Sequence, residues 1–300
     1  MSLIESALAK LRRVGDAEVQ RGVLTPRSVS VAAGAPKGPP TVVATAPEPE
    51  EPSKRITIDL KALRDKGYLP EQDLERRFAD HYRQIKRPLI EKALAGGADM
   101  RLIIVTSALP GDGKTFTSLN LALSVAREHD ASVLLVDADA PKERISEILG
   151  VRGERGLLDA LADPSLDVES LVVGTDVRGM QILPAGRLVE GATELLASAR
   201  MGQIVARLVA RNPRRLVLFD SAPLLVSSEA RALARIPAQI VLVARAGVTP
   251  RRAVADAVAQ IDRNKLQGLI VNHARVRPGE SYYYGYFGYG AGGEGNAHSP

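Results

Sequence analysis

The run Ala108-Leu109-Pro110-Gly111-Asp112-Gly113-Lys114-Thr115 constrains this chain more than any other stretch. It follows an apolar segment, Arg101–Thr106, and leads into a helical pattern that starts near Phe116 and Thr117. Apart from Ala108 it fits G-x-x-x-x-G-K-[ST], and a strand before it and a helix after it are the context that pattern requires. The reason is electrostatic. A polyphosphate carries several negative charges, so glycines must let backbone N–H groups approach it, while a helix N-terminus, Lys114 and a magnesium ion supply positive charge. Thr115 offers that ion a hydroxyl, and Ala108 serves in place of the first glycine if its φ is negative.

Further apolar runs recur between helical stretches: Ser132–Val136, Gln181–Leu183, Leu216–Phe219, Gln239–Ala244 and Leu266–Val271. Strands apolar on both faces that alternate with helices imply an α/β fold, a mainly parallel sheet with helices on both faces. Two of the runs end in acids. Val133–Val136 leads into Asp137-Ala138-Asp139, and Leu216–Phe219 into Asp220-Ser221-Ala222-Pro223. Ligands gather outside the carboxyl ends of parallel strands, so three carboxylates are expected to converge beside the phosphate loop. Magnesium prefers hard oxygen ligands. Asp220 is expected to orient it through water, while Asp137 and Asp139 either hold metal or accept a proton.

The chain divides into an amphipathic N-terminal helix (1–20), a Pro-rich disordered linker (21–55), a helical segment (56–100), the phosphate-loop core (101–273) and a Gly/Tyr-rich tail (274–300). Ser2 and Glu5 have capping-box spacing, and Ile4, Leu8 and Leu11 share a helical face. Seven of the nineteen prolines lie within 21–53, which marks a linker. Leu74, Phe78, Ile85 and Leu89 suggest a helix broken or kinked near Pro88. The tail is the compositional anomaly: six of eleven aromatics fall within 282–289, among seven glycines between 279 and 295. Tyrosines so placed are expected to be mobile and reactive rather than core.

Net charge is 40 − 35 = +5 with no long basic run, so no nucleic acid is expected as partner. No run approaches the ~18 apolar residues of a membrane span. The chain has no cysteine and no signal-peptide pattern, and the expected location is cytoplasmic.

On these residues the chain resembles the bacterial tyrosine kinases, and most closely the autokinases associated with exosortase and exopolysaccharide systems. The resemblance rests on Met1–Arg13, Tyr82–Leu89, Ser107–Ala122, Val133–Asp139, Phe219–Ala234, Arg245–Arg252 and the tyrosine tail. It implies a P-loop NTPase fold of the partitioning-ATPase lineage. Ala108–Thr115 matches the Walker A motif, Asp137 and Asp139 the Walker A′ motif, and Asp220 Walker B. The nucleotide site is then Ala108, Leu109, Pro110, Gly111, Asp112, Gly113, Lys114, Thr115 and Phe116. Asn272 joins it at the place where relatives contact adenine, with a turn-forming role as its alternative. Two departures stand out. Pro141 occupies the position where relatives often carry arginine, with Arg144 as a substitute. Asp80, Arg83 and Lys86 keep the charge signs, though not all the residue types, of a family motif that forms oligomeric rings.

The implied activity is ATP- and Mg2+-dependent protein-tyrosine autophosphorylation regulating exopolysaccharide biosynthesis and export. Lys114, Asp137 and Asp139 are its catalytic residues, with Asp137 the first choice of base. The magnesium ligands would be Thr115, Asp137, Asp139 and Asp220, and the acceptors Tyr282, Tyr283, Tyr284, Tyr286 and Tyr289. Implied partners are further copies of the chain in a ring, a separate transmembrane polysaccharide chain-length or co-polymerase protein as activator, and a tyrosine phosphatase. The membrane protein would recruit the chain to the inner face of the cell membrane. Alternatives are a partitioning or division-site ATPase, in which a lysine replaces Leu109, and a non-catalytic nucleotide-gated adaptor of an export complex.

Overall fold

The computed structural model describes residues 52–236 and 238–274. The N-terminal helix, most of the linker and the tail tyrosines lie outside the described residues. In chain order the strands are β1 (Arg55–Ile56), β2 (Leu102–Ser107), β3 (Ser132–Ala138), β4 (Val173–Thr175), β5 (Met180–Leu183), β6 (Arg215–Ser221), β7 (Gln239–Arg245) and β8 (Leu266–Asn272). The α-helices are α1 (Leu60–Asp65), α2 (Glu75–Ala95), α3 (Lys114–Ala126), α4 (Arg144–Ile148), α5 (Leu157–Ala162), α6 (Ala192–Leu196), α7 (Ala199–Ala210), α8 (Ser228–Leu233) and α9 (Arg251–Val258).

The strands form one sheet in the order β1-β4-β5-β3-β6-β2-β7-β8. Every neighbouring pair is parallel except β4–β5. All six apolar runs singled out in the sequence are strands. The two shortest, β1 and β4, have too few residues to show a period, and β1 draws the end of the expected linker into the sheet.

Alternation along the strands feeds two cores. Leu102 and Ile104 of β2 join Val217 and Phe219 of β6 on the face covered by α5, α7, α8 and α9. Ile103, Val105, Leu216 and Leu218 point the other way, toward α2 and α3. This is the two-sided burial that near-continuous apolar strands require. Phe219 is 1% exposed, so truncation to Ala would cost about 3–5 kcal/mol.

Helix α2 runs without a break through Pro88. Proline removes one N–H, which would have bonded the carbonyl of Gln84, but Tyr82, Lys86, Leu89 and Ala93 bury one stripe of the helix. That tertiary packing outweighs the lost bond. The neighbouring strand ends place β2, β3, β6 and β7 around one point, where the phosphate loop emerges from β2.

Candidate nucleotide site

The loop is set by two glycines with left-handed backbone, Gly111 at φ 85° and Gly113 at φ 98°. Ala108 is absent from the positive-φ residues, as its substitution for glycine requires, and is fully buried. Helix α3 starts at Lys114, earlier than the pattern around Phe116 suggested, because Thr117 N already donates to the Gly113 carbonyl at 2.9 Å. Only glycine fits at 113: besides its φ, a Cβ there would collide with the Asn272 side-chain amide.

Asp112 braces this loop from inside. Its Oδ2 accepts from Leu109 N at 2.9 Å, and its Oδ1 from the Thr249 hydroxyl at 2.6 Å. Thr249 in turn accepts from Arg245 N at 2.8 Å, tying the turn after β7 to the loop. Asn272 Nδ2 donates to the Asp112 carbonyl at 3.2 Å, and Asn272 Oδ1 accepts from His273 N at 2.9 Å. The structure therefore places Asn272 against the loop backbone, fastening the end of β8.

Lys114 is folded back over the loop mouth, its Nζ 2.5 Å from Asp139 Oδ2, with the two side chains 9% and 2% exposed. Burial alone would lower the lysine pKa, but the charges of Asp220, Asp139 and Asp137 outweigh it and raise the pKa, so the ammonium stays charged. Asp137 and Asp220 are register partners on β3 and β6. Asp137 Oδ2 accepts from both the backbone N and the hydroxyl of Ser146 at 2.8 Å, and Oδ1 from Asp139 N at 3.3 Å. Burial, helped by the neighbouring Asp220 charge, pushes the Asp137 carboxyl up to about 7. Burial likewise raises Asp220 against the opposing pull of Lys114 and Ser118.

Asp220 Oδ1 sits 2.9 Å from the Ser118 hydroxyl, while Oδ2 is buried with no hydrogen-bond partner. An orphaned carboxylate oxygen in the interior is costly unless something positive or donating completes it. Among the described residues no three His, Cys, Asp or Glu side chains are grouped to hold a metal ion. The three aspartates converge on Lys114, as expected, and are engaged separately: Asp139 by Lys114, Asp137 by Ser146, and Asp220 by Ser118 with one oxygen left open. Metal coordination by Thr115 and Asp220 fits that donor set, with the remaining ligands coming from phosphates and water.

Three partners escaped sequence reasoning: Ser118, Ser146 and Thr249. Ser118 lies one turn beyond Lys114 and was accessible to an i, i+4 argument. Ser146 and Thr249 reach their aspartates only through tertiary folding. Arg144, the substitute for the missing arginine, instead pairs with Glu147 of its own helix at 3.1 Å. The oligomerisation trio is divided. Asp80 and Arg83 pair on the exposed side of α2 at 2.7 Å. Lys86 is 5% exposed, donating to the Ser124 carbonyl and pairing with Glu128, each at 2.6 Å, so it holds α2 on α3 and does not share their surface.

No family model matches the chain. Over 189 residues it is 30% identical to tyrosine-protein kinase YwqD of Bacillus subtilis, covering 62% of this chain and 78% of that protein. The chain belongs to the bacterial tyrosine kinases. It is also 31% identical over 194 residues to tyrosine-protein kinase wzc of Salmonella typhimurium, covering 64% of this chain but only 26% of that relative's length. Among solved structures, the BceF tyrosine kinase domain superposes with a TM-score of 0.58 at 27% identity, covering 71% of this chain and 86% of that one. Among the described residues no helix is long and apolar enough to cross a membrane.

Proposed function

We propose that this chain is an ATP-dependent protein-tyrosine autokinase that modifies Tyr282, Tyr283, Tyr284, Tyr286 and Tyr289. The observation that carries the reading is the charged, buried Lys114, held by Asp139 at the mouth of a two-glycine phosphate loop beside the open oxygen of Asp220. Phosphoryl transfer depends chiefly on positioning and charge stabilisation. A magnesium ion held by Thr115 and Asp220 would supply positive charge at the β- and γ-phosphates. Lys114 would exchange Asp139 for those phosphates, and the N–H groups of 111–115 would cradle them. Asp137, oriented by Ser146 and with its carboxyl near neutrality, is poised to take the proton of an incoming tyrosine hydroxyl.

Asn272 to Tyr282 is ten residues, at most ~33–36 Å extended, enough for transfer to a neighbouring copy in a ring. Asp80 and Arg83, exposed on α2, are offered as the contact residues. We infer further that the chain acts in exopolysaccharide biosynthesis and export at the cytoplasmic face of the membrane. A transmembrane chain-length protein would activate it and a phosphatase would reverse it. Leu109 supports kinase over partitioning ATPase, since it packs on the apolar core where those ATPases place a lysine. The test is phosphotyrosine formation by purified protein with Mg·ATP. Lys114→Met and Asp137→Asn should both abolish it, and undiminished signal in Lys114→Met would overturn the site.

A further inference from the structure

Strand β8 closes one end of the sheet, and its outer edge pairs with no other described strand. Every second N–H and C=O of such a strand points away from the sheet. Proteins normally protect such edges with lysine, proline, a bulge or a cover. Leu266–Asn272 contains neither a charged residue nor a proline. Its one register irregularity falls opposite Ile240/Val241, at the strand's start, leaving Gly268–Asn272 in regular pairing with β7. On that regular part Leu269 and Val271 are 44% and 51% exposed and, two residues apart, lie on one face. Among the described residues this edge is unpaired and uncharged, and 28 residues follow it in the 300-residue chain.

The sequence that follows is suited to cover it. Pro278-Gly279 is a turn signal. Beyond it, Tyr282, Tyr283, Tyr284, Tyr286 and Phe287 form a run of residues that favour strands, interrupted only by Gly285, and 281–290 carries no charge. The six residues 282–287 span ~20 Å, against ~17 Å for the five regular residues of β8. The intervening 273–281 segment exceeds the two residues a hairpin needs.

We propose that residues 282–287 of the chain's own tail pair antiparallel with the outer edge of β8, laying alternate aromatic rings beside Leu269 and Val271. If these tyrosines are the acceptors, as proposed above, docking holds them away from a neighbour's site. A phosphate on any of them adds about −1.5 to −2 charges against an apolar edge and releases the tail.

Amide hydrogen exchange on the unphosphorylated full chain without nucleotide tests the docking independently of kinase activity. Tyr284→Pro, which removes a ladder donor outside the described core, should speed exchange in peptide 266–272 by ~10-fold or more while leaving 102–107 unchanged. The double variant Leu269→Lys/Val271→Lys should speed exchange in 282–287 to a similar degree. Equal exchange with and without either change overturns the proposal. Protection of 266–272 that disappears on dilution also overturns it, assigning the edge to a second copy's tail. A chain that forms phosphotyrosine yet shows no protection at β8 would refute the docking alone.

Discussion

The pairing of Lys114 with Asp139 makes a quantitative prediction for the nucleotide-free protein. Both side chains are almost wholly buried and 2.5 Å apart. Removing one partner of a buried pair costs about 3–5 kcal/mol, because the other charge is left uncompensated. Lys114→Met leaves Asp139 unpaired and also withdraws the positive charge that interacts with Asp220 and Asp137, so its loss should fall at the upper end. Asp139→Asn leaves Lys114 facing Asp220, the largest of its favourable charge interactions, and should cost less, about 1–3 kcal/mol. The double variant should lose about 2 kcal/mol less than the sum of the single losses, within the range known for contacting residues. Urea unfolding at pH 8 measures all four corners, and 4 kcal/mol corresponds to a midpoint shift of roughly 1–2 M. Lys114 holds the raised Asp220 pKa down, so removing it raises that carboxyl further, and the Lys114→Met deficit should shrink as pH falls and Asp220 takes up a proton. Additivity within ~0.5 kcal/mol would show that the latch carries no energy and refute the reasoning.

Asp137, with its carboxyl raised from 3.8 to about 7, favours the folded state only while protonated. Its contribution is full below pH ~4 and lost as pH rises through 7, by up to about 4 kcal/mol, so Asp137→Asn should flatten the decline in apo stability between pH 5 and 8. Thr249→Val deletes the 2.6 Å bond to Asp112 and leaves Arg245 N without its acceptor. A fluorescent ATP analogue should bind ~10-fold or more weakly, with Thr249→Ser restoring affinity. Replacing the five tail tyrosines with Phe should remove most autophosphorylation and leave that binding unchanged. Tyr82 is not expected to substitute as acceptor, since it is buried with its phenol pKa raised by desolvation.

The parts of the fold legible in sequence were those governed by local pattern. β2, β3, β6, β7 and β8 are long apolar runs, and the phosphate loop carries its glycine and lysine spacing on one stretch of chain. What escaped depends on contacts between distant segments. β1 is two residues long and exists because β4 pairs with it. Proline at 88 signalled a break that packing of α2 on α3 overrides. The same packing turns Lys86 inward, away from the exposed pair Asp80 and Arg83. At the site, Asp137, Asp139 and Asp220 were identifiable from the strands they terminate. Their division of labour was not, because Ser146 and Lys114 are brought to them by different elements. Thr249, which secures the loop from a turn 137 residues beyond Asp112, has no local signal at all.

The central claim is that this nucleotide site transfers phosphate to the chain's own tyrosines. Mass spectrometry of purified, phosphatase-treated protein incubated with and without Mg·ATP tests it most directly. The account predicts ATP-dependent phosphate on Tyr282, Tyr283, Tyr284, Tyr286 or Tyr289, absent in Lys114→Met. ATP turned over to ADP with no phosphate on any tyrosine would contradict it and leave a simple ATPase.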